Sequence, residues 1–152
     1  MKRKTLIITI LILVDQTIKI LVYNFFMKTR FYIKGIVGFY PYLNVSQLSV
    51  FNNELNMGLS ISVLCLINIF LFVAIIVFYF VSKRYSSDNC IKYLDKMFVY
   101  MLSGSVCSLI DKIFWGGSLD YFLVFSQIVD LKDIYLFVGF SYEIVWMFKS
   151  KT

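Results

Sequence analysis

Apolar positions gather into four runs along the chain, separated by polar or turn-rich stretches. A bilayer core of about 30 Å takes about 20 helical residues, so these runs predict membrane-crossing helices. The first spans about Thr5 to Phe26, after the basic Lys2-Arg3-Lys4. The second, Gly58 to Val81, holds no charge. The third, Leu94 to Ile110, is interrupted near its end by Gly104 and by serine and cysteine positions. The fourth, Ile134 to Phe148, is short and encloses Glu143.

The intervening stretches differ in kind. Phe31–Val50 is rich in aromatic and β-branched residues with Gly35, Gly38 and Pro41 as breakers, and Tyr121–Val129 is a second strand-like run. They predict a small sheet built from loops one–two (27–57) and three–four (111–133). The polar stretch Ser82–Lys96 is expected to be a plain connector, with Asp88 and Asp95 solvated. The predicted fold class is therefore mainly α and integral to the membrane: four transmembrane helices and a small extracytoplasmic β-rich subdomain, in one domain over residues 1–152.

Composition supports this. The 152 residues are 60% apolar and 16% charged, against about 45–50% and about 25% in soluble domains. The net charge of +6 is spread in short groups and forms no nucleic-acid patch. Nine bases (Lys2, Arg3, Lys4, Lys83, Arg84, Lys92, Lys96, Lys149 and Lys151) fall on one side of a four-span arrangement. Five (Lys28, Arg30, Lys34, Lys112 and Lys132) fall on the other. Positive charge accumulates on the cytoplasmic side, which predicts that both termini are cytoplasmic and that both structured loops face outward. The first run could instead be a signal peptide, but no small-residue cleavage site follows and the apolar run resumes after Lys19, so retention is expected.

With no histidine in the chain, a Ser–His–Asp triad, a His-ligated haem and most zinc sites are excluded. Cys65, Cys90 and Cys107 have no metal-ligand spacing, and no metal or cofactor is expected. The acids are unevenly placed: Asp111, Asp120, Asp130 and Asp133 crowd the outward segment between runs three and four, and Glu54 lies in the other outward loop. Two carboxylates in a low-dielectric site cannot both ionise easily. The charged one can activate water while its protonated partner polarises a carbonyl, which is peptide hydrolysis without histidine or metal. Capping of the last helix by Asp133 or Asp130 is the plain structural alternative. Asp15 and Lys19, four residues apart, can pair within the first helix. Glu143 also needs a partner, and Lys19 is one candidate.

Five short motifs, in order, resemble those of the lipoprotein signal peptidase (signal peptidase II) family. Val14-Asp15-Gln16-Thr17-Ile18-Lys19 is similar to its D-Q-x-x-K, and Asn56-Met57-Gly58 to its N-x-G. Gly104 to Lys112 resembles G-G-x-x-G-N-x-x-D-R. Gly117-Ser118-Leu119-Asp120-Tyr121 resembles G-x-V-x-D-F, and Asp130-Leu131-Lys132-Asp133 resembles N-x-A-D. The resemblance implies a four-span aspartic endopeptidase of the bacterial cytoplasmic membrane that cleaves before a diacylglyceryl-modified cysteine in prolipoproteins. Its partners would be those preproteins and membrane lipids. It implies that Asp120 and Asp133 are the catalytic pair. Asn56, Gly58, Ser108, Asp111, Lys112 and Asp130 would line or support the substrate site, with Asp15 and Lys19 behind them.

The chain departs from the family pattern at several points. Ser108 stands for Asn, Cys107 for Gly, Lys112 for Arg, Asp130 for Asn, Lys132 for Ala and Ile61 for Phe. Lysine lacks the bidentate fork of arginine. Lys132 would offset the added charge of Asp130. These changes keep open a second reading, a non-catalytic membrane binder or adaptor on the same scaffold. A transporter reading based on Asp15, Lys19 and Glu143 is disfavoured because no inverted repeat is present.

Overall fold

The computed structural model describes residues 2–33, 36–45, 58–125 and 127–150. Helix α1 (Lys2–Leu21) continues into a π-helical turn, Val22–Phe26. Strands β1 (Phe31–Ile33) and β2 (Val37–Asn44) follow. Next come α2 (Ile61–Tyr85) and α3 (Asp88–Ile110), the latter extended by a second π-helical turn, Asp111–Trp115. Strands β3 (Ser118–Val124) and β4 (Gln127–Val129) precede the last helix, α4 (Leu131–Ser150).

Three helical stretches are long and apolar enough to cross a membrane: Lys2–Phe26, Ile61–Tyr85 and Asp88–Trp115. The fourth predicted helix forms, but Lys132, Asp133, Glu143 and Lys149 are spread along it and leave no long stretch as free of charge as in those three. Two boundaries correct the sequence expectation. The polar stretch 82–96 is not a connector; only Ser86 and Ser87 separate α2 from α3, and the third span runs much longer than Leu94–Ile110. Its polar residues are helical because they meet partners. Asp95 accepts a hydrogen bond from Tyr79 Oη at 2.8 Å and pairs closely with Lys4, so it is not merely solvated. Asp88 lies in the first turn of α3, where the helix dipole favours an acid.

α3 is the central helix and packs on α1, α2 and α4. The helices alternate in direction. At one end Lys4 meets Tyr79 and Asp95, Trp146 Nε1 donates to Ser86 Oγ, and Cys90 Sγ donates to the Lys149 carbonyl. Leu94, Met97 and Tyr79 form the apolar core there, with Tyr79 stacked on Phe98 at 4.1 Å. α2 is charge-free until Lys83 and shows Leu66, Phe70, Val73, Val77 and Phe80 to its surroundings, as a lipid-facing helix must. α3 and α4 come close because Gly104 and Gly139 carry no side chain. A Cβ on Gly104 would lie 2.7 Å from the Leu136 side chain and 3.1 Å from the Lys132 carbonyl oxygen. Small residues serve this purpose in membrane bundles, where no hydrophobic force draws helices together.

The opposite end carries the predicted sheet, antiparallel in the order β1-β2-β3-β4. The Tyr121–Val129 run is a hairpin rather than one strand: β3 and β4 pair Phe122 with Val129. Pro41, which cannot donate to a ladder, sits where the β2–β3 register shifts between Phe39 and Tyr42. Leu119 and Tyr121 point inward from β3 onto Val22, with Ile18, Phe39 and Leu131 around them. The sheet thus rests on the end of α1. Residues 46–50 of the expected strand region, with Glu54 and Asn56, lie outside the described residues.

Beneath the sheet, Lys19 is fully buried and ties three segments together. Its Nζ lies 3.1 Å from Asp15 in α1, 2.6 Å from Asp111 after α3, and 2.7 Å from Asp130 before α4. The expected Asp15–Lys19 pair is present but is one arm of a larger junction. Glu143 does not share it; it borders an apolar groove with Leu71, Phe78, Met97 and Met101. Ten residues separate it from Asp133, about 15 Å along the helix. Lys19→Met should cost about 3–5 kcal/mol, because it leaves buried carboxylates without their ammonium. Thermal unfolding in detergent measures this. Gly104→Val should also lower the melting temperature, by prying α3 from α4.

Candidate functional site

The sheet, the π-helical turn after α3 and the start of α4 converge on one cluster of acids. Alternation along β3 buries Leu119 and Tyr121 on one face and turns Asp120 to the other. The strand is brought there by Gly116 and Gly117. Gly116 has φ 63°, which favours glycine, and a Cβ on Gly117 would fall 2.4 Å from the Asn44 carbonyl oxygen. Only glycine lets β3 start this close to β2.

Asp130 and Asp133 form a reciprocal cap on α4. The Asp133 N–H donates to Asp130 Oδ1 at 3.1 Å, and the Asp130 N–H donates to Asp133 Oδ2 at 3.1 Å. This is the geometry of a capping box, with Asp in place of the usual Glu. The structural alternative for these acids is therefore real, yet it leaves their remaining oxygens near Asp120. One carboxylate oxygen from each of Asp120, Asp130 and Asp133 lies within 4.8 Å of the others. Groups this close can share a proton or flank a single water. They could also hold a cation, and Lys132 supplies one from the protein itself.

Lys132 is buried and its Nζ contacts four groups. It pairs tightly with Asp130, donates to Ser118 Oγ at 2.7 Å, and lies 3.2 Å from Asp111 and 3.6 Å from Asp120. Ser118 Oγ in turn donates to Asp120 Oδ1 at 2.6 Å. The offset of Asp130 by Lys132, expected from the sequence, is thus present. Burial pushes the Asp120 carboxyl above the usual aspartate range, against the pull of Lys132 and Ser118. Burial acts the same way on Asp130, but Lys132 and Lys19 outweigh it and hold that carboxyl below the usual range.

The remaining predicted residues divide into two groups. Asp15 and Asp111 lie behind the cluster on Lys19, and Gln16 Nε2 donates to both, at 3.0 Å and 3.3 Å. Trp115 Nε1 donates to Gln16 Oε1 at 3.3 Å, fixing that amide. Lys112 Nζ donates to Ser108 Oγ at 2.9 Å, and Asn68 Nδ2 donates to the same oxygen at 3.1 Å. Among the described residues Lys112 makes no ion pair. Gly58 is exposed with φ 59°, three residues before α2. Sequence reasoning missed Ser118, Asn68 and Trp115 as partners. Ser118 was detectable, two residues before Asp120 on the same strand face; Asn68 and Trp115 act across helices.

The chain resembles known proteins in sequence and in fold. The family described as signal peptidase (SPase) II matches residues 7–149. No curated protein sequence matches the chain. Two solved structures share the fold, each titled as a bacterial membrane enzyme structure obtained by the in meso method, at 2.3 and 1.9 Å. The first is 16% identical with a TM-score of 0.77, covering 100% of this chain and 91% of that one. The second is 17% identical with a TM-score of 0.74, covering 97% and 93%. The match over nearly the whole length, on a membrane bundle capped by a small sheet, settles the family: the chain belongs to the signal peptidases II.

Proposed function

We propose that this protein is an aspartic endopeptidase that removes signal peptides from diacylglyceryl-modified prolipoproteins, with Asp120 and Asp133 as its catalytic pair. The observation that carries this is the approach of their carboxylate oxygens to within 4.8 Å, at the sheet-bearing end of a membrane bundle. One carboxylate takes a proton from water as the water oxygen attacks the scissile carbonyl carbon. The other, protonated, gives its proton to the carbonyl oxygen. Collapse of the tetrahedral intermediate breaks the C–N bond. The first carboxyl protonates the departing amine, and the second regains its proton from the intermediate. No histidine or metal is needed.

The placement suits the substrate. The protein lies in the bacterial cytoplasmic membrane with both termini cytoplasmic, in keeping with basic residues at the ends of α1, α2 and α4. The sheet then lies at the outer surface, where Phe31, Phe122 and Phe125 are exposed and suited to the headgroup region. Acyl chains remain in lipid while the peptide bond reaches the acids. Asp111, Lys112, Ser108 and Asp130 support or line the site, with Asp15 and Lys19 behind it.

One observation favours the second reading, a binder without catalysis: Lys132 stands 3.6 Å from Asp120, within the cluster a substrate carbonyl must approach. Purified protein in lipid, given a diacylated prolipoprotein, separates the two. Asp120→Asn and Asp133→Asn should each lower cleavage by at least about a hundredfold while the protein still inserts. Binding of the precursor with no turnover by the unaltered protein would establish the binder instead. Because the Asp120 carboxyl sits above its usual range, activity should already decline on mild acidification. A pH–rate profile measures this.

A further inference from the structure

Lys132 and Asp130 are a pair of charges that the family pattern does not carry, and the structure places both against the two acids of the proposed mechanism. The surroundings of those acids are unequal. Asp120 faces the Lys132 ammonium at 3.6 Å and accepts a hydrogen bond from Ser118, whose oxygen is itself bound by Lys132. Asp133 makes no ion pair among the described residues, and one of its oxygens is committed to the Asp130 N–H. Its carboxylate lies within 4.8 Å of Asp130, which Lys132 and Lys19 hold ionised, whereas Lys132 acts on it only from beyond ion-pair distance. An ammonium and a hydroxyl donor stabilise an anion; an adjacent anion stabilises the protonated form.

We infer that Lys132, acting directly and through Ser118, is a positioning residue that fixes Asp120 as the ionised member of the pair and leaves the shared proton on Asp133. This rests on the reading of Asp120 and Asp133 as the reacting acids, and it assigns the roles that reading leaves open. Asp120 then takes the proton from water, and Asp133 donates to the scissile carbonyl oxygen. Charge counting supports the division. Asp15, Asp111, Asp120, Asp130 and Asp133 face Lys19 and Lys132 at ion-pair distance and Lys112 from farther off, so five acids outnumber three lysines and the cluster favours keeping a proton; Asp133 is the one of these acids with no lysine at ion-pair distance among the described residues. The groups that face Asp120 from its neighbours are Ser118 on its own strand, Asp130 and Asp133 with Lys132 at the start of α4, and Asp111 after α3. Lys19 in α1 lies behind them.

The test follows the aspartate carboxyl carbons by NMR across pH in detergent-solubilised protein, assigning Asp120 and Asp133 from their Asn variants. Asp120 should titrate about one pH unit or more below Asp133. In Lys132→Met its midpoint should rise by about one unit or more, while Lys132→Arg keeps the original order. Should Lys132→Met fail to fold, Asp130→Asn with Lys132→Met removes both members of the buried pair, and its Asp120 midpoint should rise above that of Asp130→Asn alone. Asp133 titrating below Asp120, or an Asp120 midpoint unmoved by loss of the lysine, overturns the assignment. The readout needs no turnover. An uncut prolipoprotein would therefore reject the proposed activity while the titration still decides the role of Lys132.

Discussion

The structure depends on the neutralisation of buried carboxylates by two lysines where the bundle meets its sheet. An ion taken out of water costs several kcal/mol, and a carboxylate at membrane depth has no water to fall back on. Lys19 answers this by gathering Asp15, Asp111 and Asp130, which come from three separate segments. Lys132 gathers Asp130 again and reaches Asp111, Asp120 and Ser118. Together the two lysines are satisfied only when α1, the end of α3, the first residues of β3 and the start of α4 are all in place. The ion cluster therefore specifies the tertiary arrangement as well as the site.

The same constraint bears on the chemistry proposed for the acids. Asp130 caps α4 and is fully compensated, so it is structural. Asp120 and Asp133 are only partly compensated and lie within reach of each other. A helix cap, two glycines that press β3 onto β2, and a lysine two residues after the cap set that difference. In the proposed mechanism, stability and reactivity come from one set of charges, divided by how many donors each carboxylate meets.

Much of this was legible in the sequence, for identifiable reasons. Charge-free runs announced α2, and the strand-like runs 31–50 and 121–129 announced the sheet, because burial and β-branching leave local traces. The Asp15–Lys19 pair was legible because four residues make one helical turn. The link from Lys19 to Asp111 and Asp130 was not, since it joins residues about 90 and 110 positions apart. The polar start of α3 was misjudged as a connector because Asp95 finds Lys4 and Tyr79 only in three dimensions. Glu143 was offered Lys19, which the fold assigns to the other acids. Lys132 was legible as a departure and as a counter-charge to Asp130, but its contact with Ser118 and Asp120 required the turn of β3.

The central claim is that this carboxylate pair cleaves a lipid-bearing precursor at the membrane surface. Mass spectrometry of the products formed by the purified protein in liposomes tests it most directly, using one precursor with and without its diacylglyceryl group. The account predicts a single cut immediately before the modified cysteine, and none in the unmodified precursor. A diacylated precursor left intact by the folded, inserted protein would contradict it.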